Sequence, residues 1–220
     1  MDVRVETKEI AQSPEGRASG DMGERRSPLG DLTGKPPRMW LWIVAILVSL
    51  PIAGYIADLV VNGVDSVGTA LAGGLIVSAI IGTAEWFVLR QRVSLLWIPA
   101  TIAGMAVGLV AGAALVDYGI GRGDLALMGA VTGLAVGTMQ ALVLARDRIA
   151  GAVWWAVVNP PAWALGWVVT SYVISRNIDE RFAIFGASGA LVFGLLTWLV
   201  LARLFRAAPD VREPAARPVA

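Results

Sequence analysis

The stretch Gly82-Thr-Ala-Glu-Trp-Phe-Val-Leu-Arg90 occurs three times in this chain, in closely related forms. It returns as Gly137-Thr-Met-Gln-Ala-Leu-Val-Leu-Ala-Arg146 and as Gly194-Leu-Leu-Thr-Trp-Leu-Val-Leu-Ala-Arg203. The first glycines of the three copies are 55 and 57 residues apart. A regular period of this kind indicates internal duplication. The pattern therefore predicts three structural repeats.

The composition of the 220-residue chain is that of a membrane protein. Hydrophobic residues make up 56% of it and charged residues 16%, which is too apolar for an ordinary soluble domain. The sequence has no Cys and no His, which excludes disulfides, thiolate nucleophiles, imidazole bases and the usual zinc and haem ligands. The net charge of +1 comes without a basic patch, so no nucleic-acid partner is expected. We predict no enzyme activity, no metal and no cofactor.

Runs without charged residues divide the chain into helices from residue 39 onward. A helix needs about 20 apolar residues to cross a hydrocarbon core roughly 30 Å thick. Six membrane helices are predicted, at residues 39–61, 67–89, 94–116, 125–145, 152–174 and 183–204. They form one all-helical domain, 39–206, of three two-helix repeats that share one orientation around a rough threefold axis. The segments 1–38 and 207–220 are predicted to be disordered cytoplasmic tails, because such polar sequences cannot bury enough apolar surface to fold.

The short loops predict the orientation in the membrane. One set of loops and helix ends carries arginine pairs: Arg90, Arg92, Arg146, Arg148, Arg203 and Arg206. Lys and Arg are enriched on the cytoplasmic side, so both termini are predicted to be cytoplasmic. Seven tryptophans lie at the same end: Trp40, Trp42, Trp86, Trp97, Trp154, Trp155 and Trp198. We interpret them as an aromatic belt at the lipid headgroups; the alternative is a surface that docks a protein partner or a lipid headgroup.

Small residues recur at every fourth position along several helices. These ladders are Gly74, Ser78, Gly82; Gly104, Gly108, Gly112; Gly129, Gly133, Gly137; and Gly186, Ala190, Gly194. Such spacing lets helix backbones approach closely in lipid, so the ladders are predicted to be packing faces. A pore or ligand cleft lined by exposed backbone is the alternative. Val143, which lies off the ladders, is expected to face lipid.

Glu85 is the residue of greatest chemical interest. Helical geometry places it on the same face as Gly82, pointing into the bundle. Gln140 and Thr197 occupy the matching position in the other two copies. An ionisable group within a membrane helix suggests a functional site, but neutral counterparts favour a structural hydrogen-bonding role. Both interpretations stay open: a group that links helices, or a site that handles a proton or a ligand.

The segment Asn159-Pro160-Pro161 lies in the middle of the fifth predicted helix. Two consecutive prolines remove backbone donors and are expected to bend or break that helix. A kink that serves packing is the simpler interpretation. The alternative is that Asn159 joins Glu85, Gln140 and Thr197 in a ligand or proton site, since broken membrane helices often line such sites.

The pattern Gly-x-x-Glu/Gln-Trp-x-Val-Leu-Arg, followed by a Trp-rich helix start, resembles uncharacterised bacterial multi-pass membrane proteins built of such hairpins. The resemblance covers about residues 68–204 and implies a fold, a bacterial cytoplasmic membrane location and no particular activity. Two functions are considered. The first is a scaffold or accessory subunit that meets a protein partner at its Trp/Arg rim and is otherwise surrounded by the lipid bilayer. The second is a small-solute or proton-coupled transporter, or its substrate-binding subunit, with a site around Glu85.

Overall fold

The computed structural model describes residues 36–174 and 181–206, without the side chains of 174 and 181–186. The two predicted tails therefore lie outside the described residues, except for residues 36–38. The described part of the chain forms six helices and no strand. They are α1 (Met39–Val61), α2 (Val67–Leu89), α3 (Trp97–Leu115), α4 (Arg122–Arg146), α5 (Val153–Ile174) and α6 (Arg181–Arg206). The protein is all-helical, as predicted.

Local hydrogen bonds explain where the helices begin. Ser66 precedes α2, and its hydroxyl accepts the N–H of Thr69 in a capping box. The fourth helix begins before its charge-free run, because the Asp124 carboxylate accepts the backbone N–H of Gly121 and extends the helix by one turn. The third helix begins three residues later than predicted, after a turn at its start.

Five of the helices are long and apolar enough to cross a membrane: α1, α2, α3, α4 and the Ala187–Arg206 part of α6. This supports an integral membrane protein. The fifth helix is long and carries no charge, but it falls short in hydropathy. It contains Asn159, two prolines and four tryptophans, which lower the average. Length and freedom from charge alone made all six segments look equivalent in the sequence.

The helices form a closed ring. Each packs against its neighbours along the chain, and α6 packs against α1. Short loops make neighbours antiparallel, so the loops fall at two ends of the ring. We call the end with residues 90–96 and 147–152 the arginine end, and the end with residues 62–66 and 116–121 the opposite end. The larger hydrophobic core lies near the arginine end, around Trp42, Leu89, Trp97, Leu144 and Trp155.

The two prolines do not break α5. The helix continues from Val153 to Ile174 through Pro160 and Pro161, so of the two predicted effects, a bend or a break, the break does not occur. The Asn159 amide donates a 2.8 Å hydrogen bond to the carbonyl oxygen of Trp155 within the same turn. This bond, and tight packing against α4, hold the helix where two backbone donors are missing.

Candidate functional site

A buried polar network lies inside the ring near the arginine end, and Glu85 is its acceptor. Glu85 is 2% exposed. Its Oε2 atom accepts hydrogen bonds from Trp97 Nε1 at 3.0 Å and from Gln140 Nε2 at 2.9 Å. Both donors are neutral. The carboxyl group is therefore held by hydrogen bonds from α3 and α4 rather than by a cation.

Gln140 connects four helices. Its amide nitrogen donates to Glu85 and, at 2.8 Å, to the Thr101 hydroxyl. Its amide oxygen accepts the Trp155 indole N–H at 2.8 Å. The Thr101 hydroxyl in turn donates to the carbonyl oxygen of Trp97. Both N–H groups and the oxygen of the Gln140 amide are thus used, which explains why an amide can stand at this fully buried position.

Thr197 takes part in a separate but similar contact. Its hydroxyl accepts the Trp42 indole N–H at 3.0 Å and donates to the carbonyl oxygen of Phe193 at 2.7 Å. Each residue at the matching position of the three repeated stretches therefore accepts an indole N–H from the first turn of an odd-numbered helix. The pairs are Glu85 with Trp97, Gln140 with Trp155, and Thr197 with Trp42.

These three tryptophans correct the aromatic-belt interpretation. Trp42, Trp97 and Trp155 are each 0% exposed. Their rings touch at the centre of the bundle, with centroids 6.4 Å apart for Trp42 and Trp155 and 5.8 Å apart for Trp97 and Trp155. Trp40 and Trp154, by contrast, are exposed. Positions one or two residues apart on a helix point in different directions, so one tryptophan of each Trp40/Trp42 or Trp154/Trp155 pair faces inward.

Asn159 does not join Glu85. It is buried, and no residue that the structure describes donates a hydrogen bond to its Oδ1 atom. It packs against the glycine ladder of α4, where a Cβ at Gly137 would lie 2.6 Å from the Asn159 Cβ. The structure thus brings Glu85 and Gln140 into contact, whereas Thr197 and Asn159 lie in contacts of their own.

The glycine ladders lie at helix contacts. A Cβ on Gly104 would lie 2.6 Å from the Cα of Val136, and one on Gly108 would lie 2.7 Å from the Cα of Thr132. These are backbone atoms, so α3 and α4 meet along this ladder. The remaining described members also face a neighbouring helix or are buried: Gly74, Ser78, Gly82, Gly112, Gly129, Gly133, Gly137, Ala190 and Gly194. The surroundings of Gly186 lie outside what the structure describes.

Val143 was predicted to face lipid, and this is wrong. It is 6% exposed and belongs to the larger core, whereas its neighbour Leu142 is 61% exposed. Apolar residues cover all sides of these helices, so the sequence pattern could not distinguish lipid-facing from buried positions.

Loop contacts fasten the arginine end. The Asp147 carboxylate accepts the backbone N–H of Ser94 at 2.7 Å, which joins the two arginine-end loops. The Trp198 indole donates to the carbonyl oxygen of Pro37 at 3.1 Å. Burial lowers the pKa of the Arg92 guanidinium, which also lies over the Phe205 ring at 5.7 Å. These contacts join the two loops to each other, the residues before α1 to α6, and the loop 90–96 to α6.

The half of the ring toward the opposite end forms a half-open cavity of about 780 Å³. All six helices contribute to its wall, each through the half of the helix that lies farther from the arginine end. Its wall includes Leu50, Gly54, Val77, Met105, Leu109 and Phe193. Polar residues are confined to the outer turns and loops: Asp58, Tyr118, Arg122, Thr170 and Ser171. An apolar chamber of this size with a few polar groups has the form of a small-molecule binding site.

The cavity and the Glu85 network are separate. None of Glu85, Gln140, Thr197 or Asn159 is among the described residues that line the cavity. The Trp163 and Phe193 rings, with centroids 4.9 Å apart, lie on its wall, and the three central tryptophans lie beyond toward the arginine end. Sequence reasoning missed this cavity. One feature of the sequence could have indicated it. Leu50, Gly54 and Asp58 recur at every fourth position of α1, so a glycine that leaves space lies on the same face as an acid.

Comparisons with known proteins give no match to any family model, any curated protein or any solved structure.

Proposed function

We propose that this protein is a non-enzymatic integral membrane protein that binds an apolar ligand in the cavity at the opposite end. It would act as a binding or accessory subunit. The cavity itself carries the proposal: about 780 Å³ of mainly apolar space inside a helical ring. Ligand sites are typically mostly apolar clefts or cavities of about 300–1,000 Å³. A space this large is therefore suited to an occupant.

The geometry argues less well for transport through Glu85. A conducting path along the ring axis would have to cross three fully buried indoles and a hydrogen-bonded Gln140. Each indole N–H there already has an acceptor. Opening this end would break several buried hydrogen bonds at once, each costly when left unmade. We therefore assign Glu85, Gln140 and Thr197 to closure of the arginine end and place the ligand elsewhere.

We further propose that the six helices are three two-helix repeats around a pseudo-threefold axis, all crossing a bacterial cytoplasmic membrane. The three matching indole bonds support this layout, since each joins an even helix to the odd helix that follows it around the ring. The arginine pairs support cytoplasmic termini. The cavity would then face the outer side of the membrane.

The orientation is open to a direct test. The chain has no native cysteine, so single cysteines can be introduced at Asn62 and Arg148 without background. In intact cells we expect a membrane-impermeant maleimide to label Asn62→Cys and to spare Arg148→Cys until the cells are permeabilised. The reverse labelling pattern would contradict the proposed orientation.

A cavity-filling variant tests the binding function. A Cβ at Gly54 would meet no atom within 4 Å and Gly54 lines the cavity, so Gly54→Phe starts its side chain in open space at the cavity wall. We expect wild-type protein in phosphatidylcholine nanodiscs to bind radiolabelled dodecanol saturably, above empty nanodiscs, in a scintillation proximity assay. Excluding even two methylenes of the probe, at about 0.8 kcal/mol each, should weaken binding more than about tenfold.

Gly123→Phe is the matched control. Gly123 is exposed, a Cβ there also meets nothing within 4 Å, and it is not a lining residue. We expect it to bind dodecanol as wild type does. Equal binding by wild type and Gly54→Phe, or no saturable binding by wild type, would overturn the proposed function.

A scaffold that presents the arginine end to a protein partner is the second candidate. Exposed Trp40 and Trp154 favour it, at 58% and 61% exposure. Exposed indoles beside arginines are typical of interfaces and of lipid headgroup contacts alike. Absence of dodecanol binding by the wild type would leave this candidate as the better one.

A further inference from the structure

We infer that the cavity ligand is an apolar amine, whose cationic nitrogen pairs with Asp58. This inference rests on the proposed function and adds the chemical class of the ligand. It starts from the α1 face that lines the cavity, which consists of Leu50, Gly54, Ala57, Asp58 and Val61. Steps of three and four residues keep these positions on one side of a helix. Asp58 therefore follows directly on an apolar wall.

Asp58 has no partner for its carboxylate among the residues that the structure describes. Its side chain is partly buried, and only its backbone carbonyl is engaged, by Asn62 N–H at 2.8 Å. Two other acids at this end are used locally. Asp65 accepts the Thr69 hydroxyl at 3.0 Å, and Asp124 accepts the Gly121 N–H at 3.1 Å. An acid that stays unpaired at the edge of an apolar chamber favours a ligand that brings the positive charge.

The other charge at the mouth is placed differently. Arg122 is exposed, and its guanidinium lies over the Tyr172 ring at 4.2 Å. Arg122 also lines the cavity, but its cation is already engaged by this ring. The ring order puts α4 across from α1, so Arg122 does not neutralise Asp58 through a shared contact. Asp58 is the more buried of the two groups, so it is the one that a ligand would desolvate.

A second polar group supports the same site. Thr170 lines the cavity from α5 and is 3% exposed, yet the described residues supply no hydrogen bond to its hydroxyl. The α5 helix is separated from α1 by α6 alone, and α6 approaches α5 closely at Gly189 and Gly166. A hydroxyl can accept an N–H from an ammonium group. Asp58 and Thr170 thus give the cavity one charged and one neutral acceptor beside its apolar wall.

The test compares two chain-matched probes of opposite charge. We expect full-length protein in phosphatidylcholine nanodiscs to bind radiolabelled dodecylamine more tightly than radiolabelled dodecanoate, each measured above empty nanodiscs. Charge-assisted hydrogen bonds contribute about 1.5–3 kcal/mol. Asp58→Asn should therefore weaken dodecylamine binding by about ten- to a hundredfold, and weaken binding of the uncharged dodecanol much less.

Asp65→Asn is the matched control, because its carboxylate is bonded to Thr69 and does not line the cavity. It should bind dodecylamine as wild type does. If dodecanol binds but dodecylamine gains nothing from Asp58, the amine inference fails and the proposed function survives. Tighter binding of dodecanoate that is lost in Arg122→Gln would also overturn the inference, in favour of an anionic ligand. Failure of all three probes would reject both proposals.

Discussion

Gly133→Leu is expected to lower the yield of folded protein sharply and to reduce its melting temperature. A Cβ at Gly133 would lie 2.6 Å from the carbonyl oxygen of Asn159 and 2.8 Å from the Trp163 ring. The carbonyl oxygen belongs to the backbone, so relief requires α4 and α5 to separate. Overpacking of this kind costs about 1–3 kcal/mol and sometimes more. Fluorescence-detected size exclusion of detergent extracts over a temperature series measures the shift.

The control for this prediction is Gly123→Leu, which lies in the same helix and meets no atom within 4 Å. Both variants replace a glycine of α4 by leucine, so the control also includes the gain in helix propensity that this exchange brings. Its melting temperature should stay at or above that of the wild type. If the two variants melted alike, the close contact of α4 with α5 would not be limiting, and the ladder would have no packing role at Gly133.

Gln140→Leu should be the most damaging substitution in the polar network. It keeps roughly the size of the side chain but removes one of the two donors to Glu85 and the acceptor of the Trp155 indole. The Trp155 indole N–H is left unpaired, which costs about 1–3 kcal/mol, and Glu85 keeps only the hydrogen bond from Trp97. We expect a large fall in melting temperature and in yield, measured as for Gly133→Leu.

Glu85→Gln is the contrasting variant for the network. An amide oxygen can accept both N–H groups that now reach Glu85 Oε2, and glutamine is the residue of the second repeat at this position. If Glu85 closes the bundle, this variant should keep its stability and its dodecanol binding. A variant that folds normally but loses a proton-linked or transport activity would make Glu85 a functional site and contradict our assignment.

The double variant Glu85→Gln/Gln140→Leu tests how much of the effect of Gln140→Leu depends on the carboxylate of Glu85. With glutamine at position 85 no carboxylate is left short of a donor, so Gln140→Leu should cost less in that background than in the wild type. The two residues share a 2.9 Å hydrogen bond, and directly bonded residues are expected to couple by about 0.5–3 kcal/mol. Simple additivity would mean that the bond contributes little to the closed end.

The sequence by itself determined the positions of the helices. The predicted spans 67–89 and 39–61, each with a single charged residue, coincide with α2 and α1, because an apolar helix in lipid must satisfy its own backbone over a fixed length. It also determined that Glu85 points inward, since a spacing of three from Gly82 fixes the face in any helix. Where local hydrogen bonds extended a helix, as Asp124 does, the charge pattern missed the start by one turn.

The tertiary structure alone decided which apolar side chains face inward and which space stays unfilled. Trp42 and Trp40 are the same residue type in the same helix, yet Trp42 is buried at the centre of the bundle and Trp40 is exposed. Val143 and Leu142 differ in the same way. Hydrophobicity cannot distinguish these cases, because lipid and protein interior are both apolar; only the packing of six helices separates them. The cavity beside Asp58 likewise exists because residues from all six helices leave room for it, and no single stretch of sequence carries that information.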